Sequence, residues 1–389
     1  MAVINRIAGY AEEMAAWRRW LHRNPELEFD LPKTSAFVAE RLREFGVDEL
    51  HEGLAETGMV AIVNGRGSGP TIGLRADMDA LPIMEATGAD HASETPGKMH
   101  ACGHDGHTTM LLGAARYLCE TRNFSGRVAL IFQPAEESGS GARRMVEEGL
   151  MDRFGISRVF GIHNEPALPF GHFATRPGPL MASVDEFDVT VTGKGGHAAY
   201  PDLSVDPIPA LLAVAQAFDT IVSRNRGSTE AMVVSVTRIE AGTAYNITPA
   251  AGTLCGTVRA FSKDTQDMVE RRMREICDGV AAAFGVDIAF TYRRDNPVTV
   301  NDDDEAAFAV RVASDLVGAD KVNPNVMPVM GGEDFSEMLL QRPGAFVFLG
   351  QGTPYFCHHP AYDFNDEIAP IGASFFVRLV ETAQPPAEG

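Results

Sequence analysis

The sequence has few cysteines, no long apolar run and a shortage of basic residues. It contains 5 cysteines in 389 residues, and no two of them form a CxxC pair. Their odd number and scatter indicate reduced thiols, not a disulfide framework. The N-terminal segment has no apolar core of signal-peptide length, and no run approaches the roughly 18 apolar residues of a membrane span. We therefore expect a cytoplasmic protein with no membrane partner.

The charge balance excludes a second class of partner. The 33 Lys and Arg residues are outnumbered by 53 Asp and Glu residues, which gives a formal net charge of −20. An acidic surface repels phosphate backbones, so we expect no nucleic-acid partner. Since a chain of 389 residues is longer than an ordinary domain with a single hydrophobic core, we expect two domains.

Predicted strands and helices alternate through much of the chain. Strands are predicted at 58–64, 71–76, 128–132, 158–162 and 345–349, and helices at 5–22, 34–45, 108–120, 141–149 and 370–382. This alternation is typical of an α/β domain with a mainly parallel sheet. The GRGSG stretch at 65–69 joins two predicted strands without a following Lys-Ser/Thr, which favours a hairpin turn over a phosphate loop.

The middle of the chain has a different order of elements. The pattern of residues 185–292 predicts a strand, a helix, two strands, a helix and a strand, in that order. This βαββαβ order predicts an inserted α+β sandwich of ferredoxin-like type, with helices on one face of an antiparallel sheet. The larger domain would then comprise residues 1–184 and 293–389.

Metal-binding residue types follow several predicted strands. They comprise Asp77, Glu136, Glu137, His163 and His358, and the stretch MHACGHDGH at 99–107 adds more. In open α/β sheets, ligands bind beyond the carboxyl ends of the strands. Taken alone, Cys102 could be a nucleophile, a redox thiol or a metal ligand. The convergence of acids and histidines at one sheet edge favours the ligand.

Eight segments along the chain resemble one enzyme family. In order they are RRWLHRNPEL, LRADMDALP, MHACGHDGHTTMLLGAA, FQPAEE, GKGGHAAYP, NITPAAGTLCGTVR, GGEDFS and HHPAYDFND, which extend from about residue 18 to 370. Together they resemble the metal-dependent amidohydrolases that include hippurate hydrolase, N-acyl-amino-acid deacylases and auxin–amino-acid conjugate hydrolases. Aminoacylase and the glutamate-releasing carboxypeptidase belong to the wider group.

The resemblance implies a two-domain metallopeptidase-like fold with a binuclear site in the larger, catalytic domain. The implied ligands are Cys102, His104, Glu137, His163 and His358. Thiolate, imidazole and carboxylate donors together suit Zn²⁺, Mn²⁺, Co²⁺ or Ni²⁺. We expect the Cys102 thiolate to bridge two such ions. Glu136 is implied as the general base that activates a metal-bound water, since a carboxylate that ligates a metal is poorly basic.

The resemblance also assigns residues outside the ligand set. His197 is implied to reach the partner subunit's active site and to stabilise an oxyanion, and Asn246 and Arg259 to hold the substrate carboxylate. Asp79 is either a support that orients a ligand or a turn-forming residue. His107 either supports the site or packs in the core.

The implied reaction is hydrolysis of an N-acyl amino acid to a carboxylic acid and a free amino acid. The implied assembly is a homodimer or homotetramer through residues 185–292, which would act as a lid and dimerisation domain. Two alternatives stay open. One is a cysteine hydrolase with Cys102 as nucleophile and His104 as base, although two residues in one short loop need not align productively. The other is a non-catalytic binding protein on the same fold.

Overall fold

The computed structural model describes residues 2–137 and 140–386. The chain forms two compact units. The larger covers Met1–Leu180, Thr299–Met327 and Asp334–Gly389, and the smaller covers Met181–Val298 and Pro328–Glu333. A lid or dimerisation role for residues 185–292 stays a prediction.

The helices of the described residues are numbered in chain order. Helices α1 to α11 span Asn5–Ala8, Ala11–Arg23, Pro32–Phe45, His104–Thr121, Gly141–Glu147, Leu150–Arg153, Pro207–Arg224, Lys263–Phe284, Asp303–Val317, Ser336–Leu339 and Ala369–Ala383. The helix predicted over 5–22 is interrupted at Gly9 and Tyr10, between α1 and α2. None of the helices in the described ranges has both the length and the apolar character needed to cross a membrane.

The strands are numbered in the same way. Strands β1 to β16 span Glu49–Leu54, Gly58–Asn64, Thr71–Asp77, Arg127–Gln133, Ile156–Glu165, Phe173–Ala174, Gly178–Met181, Val184–Thr192, Gly196–His197, Met232–Ala241, Ile247–Thr248, Ala251–Ala260, Asp287–Asn296, Thr299–Asn301, Val322–Asn323 and Gly344–Gly350. The pattern of apolar residues predicted most of the longer strands, but β1 was not predicted.

The larger unit is built on a sheet with the order β1-β2-β4-β3-β5-β16-β6-β15. Its central strands β4, β3, β5 and β16 run parallel to one another. β3 and β16 are buried along their whole length, as expected for strands covered on both faces. Most of α4 and α11 is buried as well, and their apolar side chains belong to the main hydrophobic core.

The hairpin predicted at 65–69 is wrong. β2 and β3 are not neighbours, because β4 lies between them and pairs with both. The GRGSG segment therefore crosses the start of β4, where the Gly65 N–H donates to Gly126 O at 2.8 Å. A side chain at Gly65 would bring its Cβ within 2.2 Å of Phe124 O, so glycine is needed for this close approach.

The smaller unit contains an antiparallel sheet with the order β10-β12-β8-β13. Burial alternates along β8 and β12, so one face of the sheet is covered. Phe187 of β8 and Leu254 of β12 join Phe218 of α7 and Met273 of α8 in a second hydrophobic core. The βαββαβ order of the sequence thus packs its two helices with one face of the sheet.

Candidate metal centre

The candidate ligands follow the strands of the large sheet. Glu137 comes shortly after β4, His163 lies near the end of β5, and His358 follows β16 through a coil segment. His104 is the first residue of α4, and Cys102 precedes it by two residues. Because β4, β5 and β16 are parallel, their carboxyl ends meet at one edge of the sheet. The structure therefore brings these five residues together.

Two of the candidate groups of three donor atoms in the described residues contain Cys102. In the first, the donor atoms of Cys102, His104 and His163 all lie within 4.8 Å of one another. Cys102 Sγ is 3.4 Å from His163 Nε2. His163 Nδ1 donates a hydrogen bond to the carbonyl oxygen of Asn164 at 2.6 Å, which leaves Nε2 as the free acceptor that faces the thiol. Burial lowers the pKa of His163 well below its usual range and so favours the neutral, ligating form.

The second group contains Cys102, Glu137 and His358, again within 4.8 Å of one another. Glu137 Oε1 lies 3.4 Å from His358 Nε2. The side chain of His358 is 54% exposed, whereas that of His104 is fully buried. Cys102 is common to both groups, and His358 of the second group is the most exposed of their side chains.

Several buried donor atoms of this centre have no hydrogen-bond partner within the described residues. They are both ring nitrogens of His104 and Oε1 of Glu137, whose close polar neighbours Asp79 and His358 do not meet hydrogen-bond geometry. A buried polar atom without a partner costs about 1–3 kcal/mol, so such atoms are expected where an ion is bound. Burial lowers the pKa of His104, but the charges of Asp77, Asp79 and Glu137 outweigh burial and raise it well above its usual range. The donor set and its negative charge fit a divalent transition metal.

Asp79 connects the acids to His104. Its Oδ1 accepts a hydrogen bond from Glu136 N at 3.0 Å, and its Oδ2 accepts one from Glu137 N at 3.1 Å. Oδ1 also lies 3.3 Å from His104 Nδ1. One carboxylate thus contacts the backbone of the Glu136–Glu137 turn and a candidate ligand at once.

Glu136 lies beside the ligands and is 9% exposed. Its Oε2 is 3.9 Å from His104 Nε2. The preceding Ala135 has a φ of 55°, and His358 has a φ of 68°, both in the left-handed region that non-glycine residues rarely adopt. Such strained residues cluster at functional sites, where the surrounding structure holds them in place.

The first turn of α4 carries two histidines of the site. The sequence pattern predicted a helix start near residue 108, but α4 begins at His104, so His104 and His107 lie on one face of the helix. Gly103 precedes the helix with a φ of 100°, and a Cβ there would lie 2.2 Å from Asn164 Oδ1. His107 is buried, and its Nδ1 is 2.6 Å from Asp77 Oδ1.

A buried ion-pair network beneath the ligands was missed by the sequence analysis. Arg75 donates to Asp77 Oδ2 at 2.7 Å, to Gln133 Oε1 at 2.8 Å and to Asp334 Oδ1 at 3.0 Å, and all four residues are at most 1% exposed. Burial raises the pKa of Asp77, but the charges of His104, Arg75 and His107 outweigh burial and hold it well below its usual range. The sequence signal for this network is an arginine next to apolar residues in the strand TIGLRAD.

The three remaining candidates lie in the smaller unit. His197 is in β9, which pairs with β11, and the N–H of the next residue, Ala198, donates to Asn246 O at 3.1 Å. His197 and Asn246 are therefore neighbours and both are exposed. Arg259 lies on β12, where its guanidinium donates to Val258 O at 3.1 Å.

Comparison with known proteins identifies relatives along almost the whole chain. N-acetylcysteine deacetylase of Bacillus subtilis (strain 168) is 40% identical over 363 residues, which cover 93% of this chain and 94% of the relative. Hippurate hydrolase of Campylobacter jejuni subsp. jejuni is 40% identical over 382 residues, which cover 97% of this chain and 98% of the relative.

The fold is also similar to that of solved structures. A dinuclear metal-binding peptidase of the M20 family from Bacillus subtilis matches with a TM-score of 0.85 and 35% sequence identity, over 97% of this chain and 99% of that chain. The profile of peptidase family M20/M25/M40 matches residues 73–382. The fold and the candidate ligand groups define a metal-dependent hydrolase of amide bonds. The chain belongs to peptidase family M20/M25/M40.

Proposed function

We propose that this enzyme hydrolyses the amide bond of N-acyl amino acids at a binuclear site. The observation that supports the proposal best is the pair of donor groups that share Cys102, with the carboxylate of Glu136 beside them. The proposed ligands are Cys102, His104, Glu137, His163 and His358. Cys102 belongs to both groups and would contribute its thiolate to either ion.

The chemistry of the donors suits Zn²⁺, Mn²⁺, Co²⁺ or Ni²⁺. Two such ions, when bound, polarise the amide carbonyl and make water a stronger nucleophile. His163 is suited to hold its ion because its Nδ1–H is engaged by a backbone carbonyl, which fixes the ring orientation. His358 and Glu137 would hold the other ion, and the exposed ring of His358 leaves this part of the site accessible from solvent.

The two adjacent glutamates have different tasks. Glu137 lies 3.4 Å from His358 and completes the ligand set. Glu136 takes the proton from the attacking water and delivers it to the nitrogen of the departing amino acid. Asp79 supports both tasks, because it accepts hydrogen bonds from both backbone N–H groups and so fixes the turn between them.

The smaller unit supplies the residues that recognise the substrate. His197 of the partner subunit donates a hydrogen bond to the oxyanion that forms as water attacks the amide, a contribution of about 3–4 kcal/mol to the lowering of the barrier. Arg259 binds the free carboxylate of the amino acid, since its planar fork matches a carboxylate in two places. Asn246 adds a neutral donor close to His197, as its backbone contact with Ala198 indicates.

The relatives suggest the range of acyl groups. One relative is named for N-acetylcysteine and another for hippurate, whose acyl groups are acetyl and benzoyl. We therefore propose a substrate with a small aliphatic or aromatic acyl group and an amino acid with a free carboxylate.

We propose further that the enzyme is a homodimer formed through β10. This strand lies at one edge of the small sheet, so its outer backbone groups face no neighbouring strand of the described unit. A groove of about 700 Å³ lies between β10 and α7, and Ile239 and Leu212, which line it, are 46% and 54% exposed. A second copy that pairs along β10 would satisfy the edge and cover these side chains.

The experiment that tests the proposed function combines metal removal with a substrate panel. Dialysis against a chelator should abolish hydrolysis of N-acetyl- and N-benzoyl-amino acids, and added Mn²⁺ or Zn²⁺ should restore it, with amine release as the readout. Full activity after chelation, together with a trapped acyl-enzyme on Cys102, would instead establish the cysteine hydrolase. Absence of turnover across the panel with metal present would favour a binding protein.

A further inference from the structure

An arginine of the N-terminal RRWLHRNPEL segment is buried close to the metal centre, and the proposed mechanism gives it no task. Arg18 lies in α2, and its side chain is 1% exposed. A buried guanidinium is tolerated only when carboxylates pair with it in good geometry. Arg18 donates hydrogen bonds to two carboxylates and lies 3.9 Å from a third, so the reason for its burial must be found in the segments that supply them.

The three carboxylates come from two separate segments. Arg18 Nε is 2.5 Å from Asp366 Oδ1, and Nη1 is 3.1 Å from Asp363 Oδ1. Nη1 also lies 3.9 Å from Oδ2 of Asp105, a fully buried side chain in the first turn of α4. Asp105 directly follows His104, whereas Asp363 and Asp366 follow His358 within a few residues. Arg18 thus joins the two segments that carry one candidate ligand from each donor group.

The segment of His358 depends on such contacts. No helix or strand of the described chain lies between the end of β16 at Gly350 and His358. His358 has a φ of 68°, which an L-residue adopts only when neighbouring contacts hold it. Its own backbone N–H donates to Ala101 O at 2.7 Å. Further along the segment, the buried side chains of Tyr362 and Phe364 and the ion pairs of Arg18 with two carboxylates add to this backbone contact.

His22, one turn further along α2, holds Asp105 in place by a hydrogen bond. Its Nδ1 is 2.8 Å from Asp105 Oδ2, and its Nε2 is 3.4 Å from Glu85 Oε1. Because Asp105 contacts both His22 and Arg18, it is held from two sides by α2. Asp105, held in this way, helps to fix the position of the Arg18 guanidinium, which contacts the His358 segment.

We propose that Arg18 is a positioning residue of the metal centre, which fixes the segment of His358 against the first turn of α4. The inference rests on the proposed function only in requiring the metal site, and it concerns the ion held by Cys102, Glu137 and His358. The other ion would be held by Cys102, His104 and His163, and without Arg18 the first turn of α4 keeps its contact with α2 through the His22–Asp105 hydrogen bond. Loss of Arg18 should therefore weaken the binding of one ion far more than the binding of the other.

The test compares Arg18→Met with Arg19→Met by metal titration without substrate. Arg19 is the matched control, because it also contacts Asp366, at 2.8 Å, but is 49% exposed. Arg18→Met should retain one ion and bind the second about 10–100-fold more weakly, the usual effect of losing a residue that supports a ligand. Arg19→Met should bind both ions as the unaltered enzyme does. The spectrum of bound Co²⁺ should change only in the second titration step of Arg18→Met.

Two outcomes would overturn the proposal. One is equal weakening of both ions in Arg18→Met, and the other is undiminished binding of both. If Arg18→Met does not fold, Asp363→Ala decides, because this side chain is 39% exposed and belongs to the same connection. Asp363→Ala should also bind the second ion more weakly than the unaltered enzyme does. Unchanged binding would refute the proposal. Metal titration needs no turnover, so a failure of the proposed hydrolysis would be recognised separately.

Discussion

At the scale of single residues, the centre separates metal binding from proton transfer between two adjacent glutamates. Glu137 contacts His358 and shares the second donor group with His358 and Cys102. Glu136 lies against the same ligands but is fixed through its backbone by Asp79. The division is chemical, because a carboxylate that donates to a cation is a weak base and an unligated neighbour is a stronger one.

This division predicts different losses for two matched substitutions. Glu136→Gln should lower kcat by about 10²–10⁴-fold, because the amide cannot accept the proton, while both ions stay bound. Glu137→Gln should lose an ion, because it removes a charged ligand. Steady-state kinetics and metal analysis of the two purified variants distinguish these effects. Activity above a tenth of the original in metal-loaded Glu136→Gln would contradict the proposed base.

At the scale of elements, α2 and the first turn of α4 share a buried set of charges. His22 is buried between Asp105 and Glu85, with the Arg18 guanidinium and the rings of His91 and His100 nearby. Burial and Arg18 lower the pKa of His22, but its hydrogen bonds to Asp105 and Glu85 outweigh them and raise the pKa to about 9. The contact between the two helices therefore includes an imidazolium.

The raised pKa predicts a dependence of stability on pH. An unfolded histidine titrates near 6.5, so the contribution of His22 is fully present below that pH and is lost as pH rises through about 9. The contribution is on the order of 3 kcal/mol. The difference in unfolding free energy between the unaltered enzyme and His22→Gln should shrink between pH 6.5 and 9, as measured by urea denaturation. A constant difference across this range would show that His22 is neutral in the folded protein.

At the scale of the whole molecule, the two units have separate hydrophobic cores. The large core surrounds the sheet that carries the metal centre, and the small core joins α7 and α8 to the inserted sheet. The edge strand β10 and the groove beside it belong to the small unit. An assembly through that edge would leave the core of the catalytic unit unaltered.

The proposed dimer predicts that charge on the β10 edge separates the subunits. The double substitution Leu212→Lys and Ile239→Lys should convert the dimer to a monomer in sedimentation velocity, because two like charges would face each other across the interface. Phe284→Lys is the matched control, since Phe284 is 43% exposed on the same unit but lies at the end of α8. Dissociation by the control alone would place the interface elsewhere.

The sequence by itself determined the alternation of strands and helices, the order of elements in the inserted unit and the donor residue types at the strand ends. Local periodicity reports which side chains are buried, and motifs report chemistry. Only the tertiary structure decided that β4 lies between β2 and β3, that α4 begins at His104 and that Arg75 pairs with Asp334, 259 residues away. The tertiary structure alone also decided that Arg18 pairs with Asp363 and Asp366. Strand order and buried ion pairs depend on which distant segments of the chain contact each other, and local sequence patterns do not indicate those contacts.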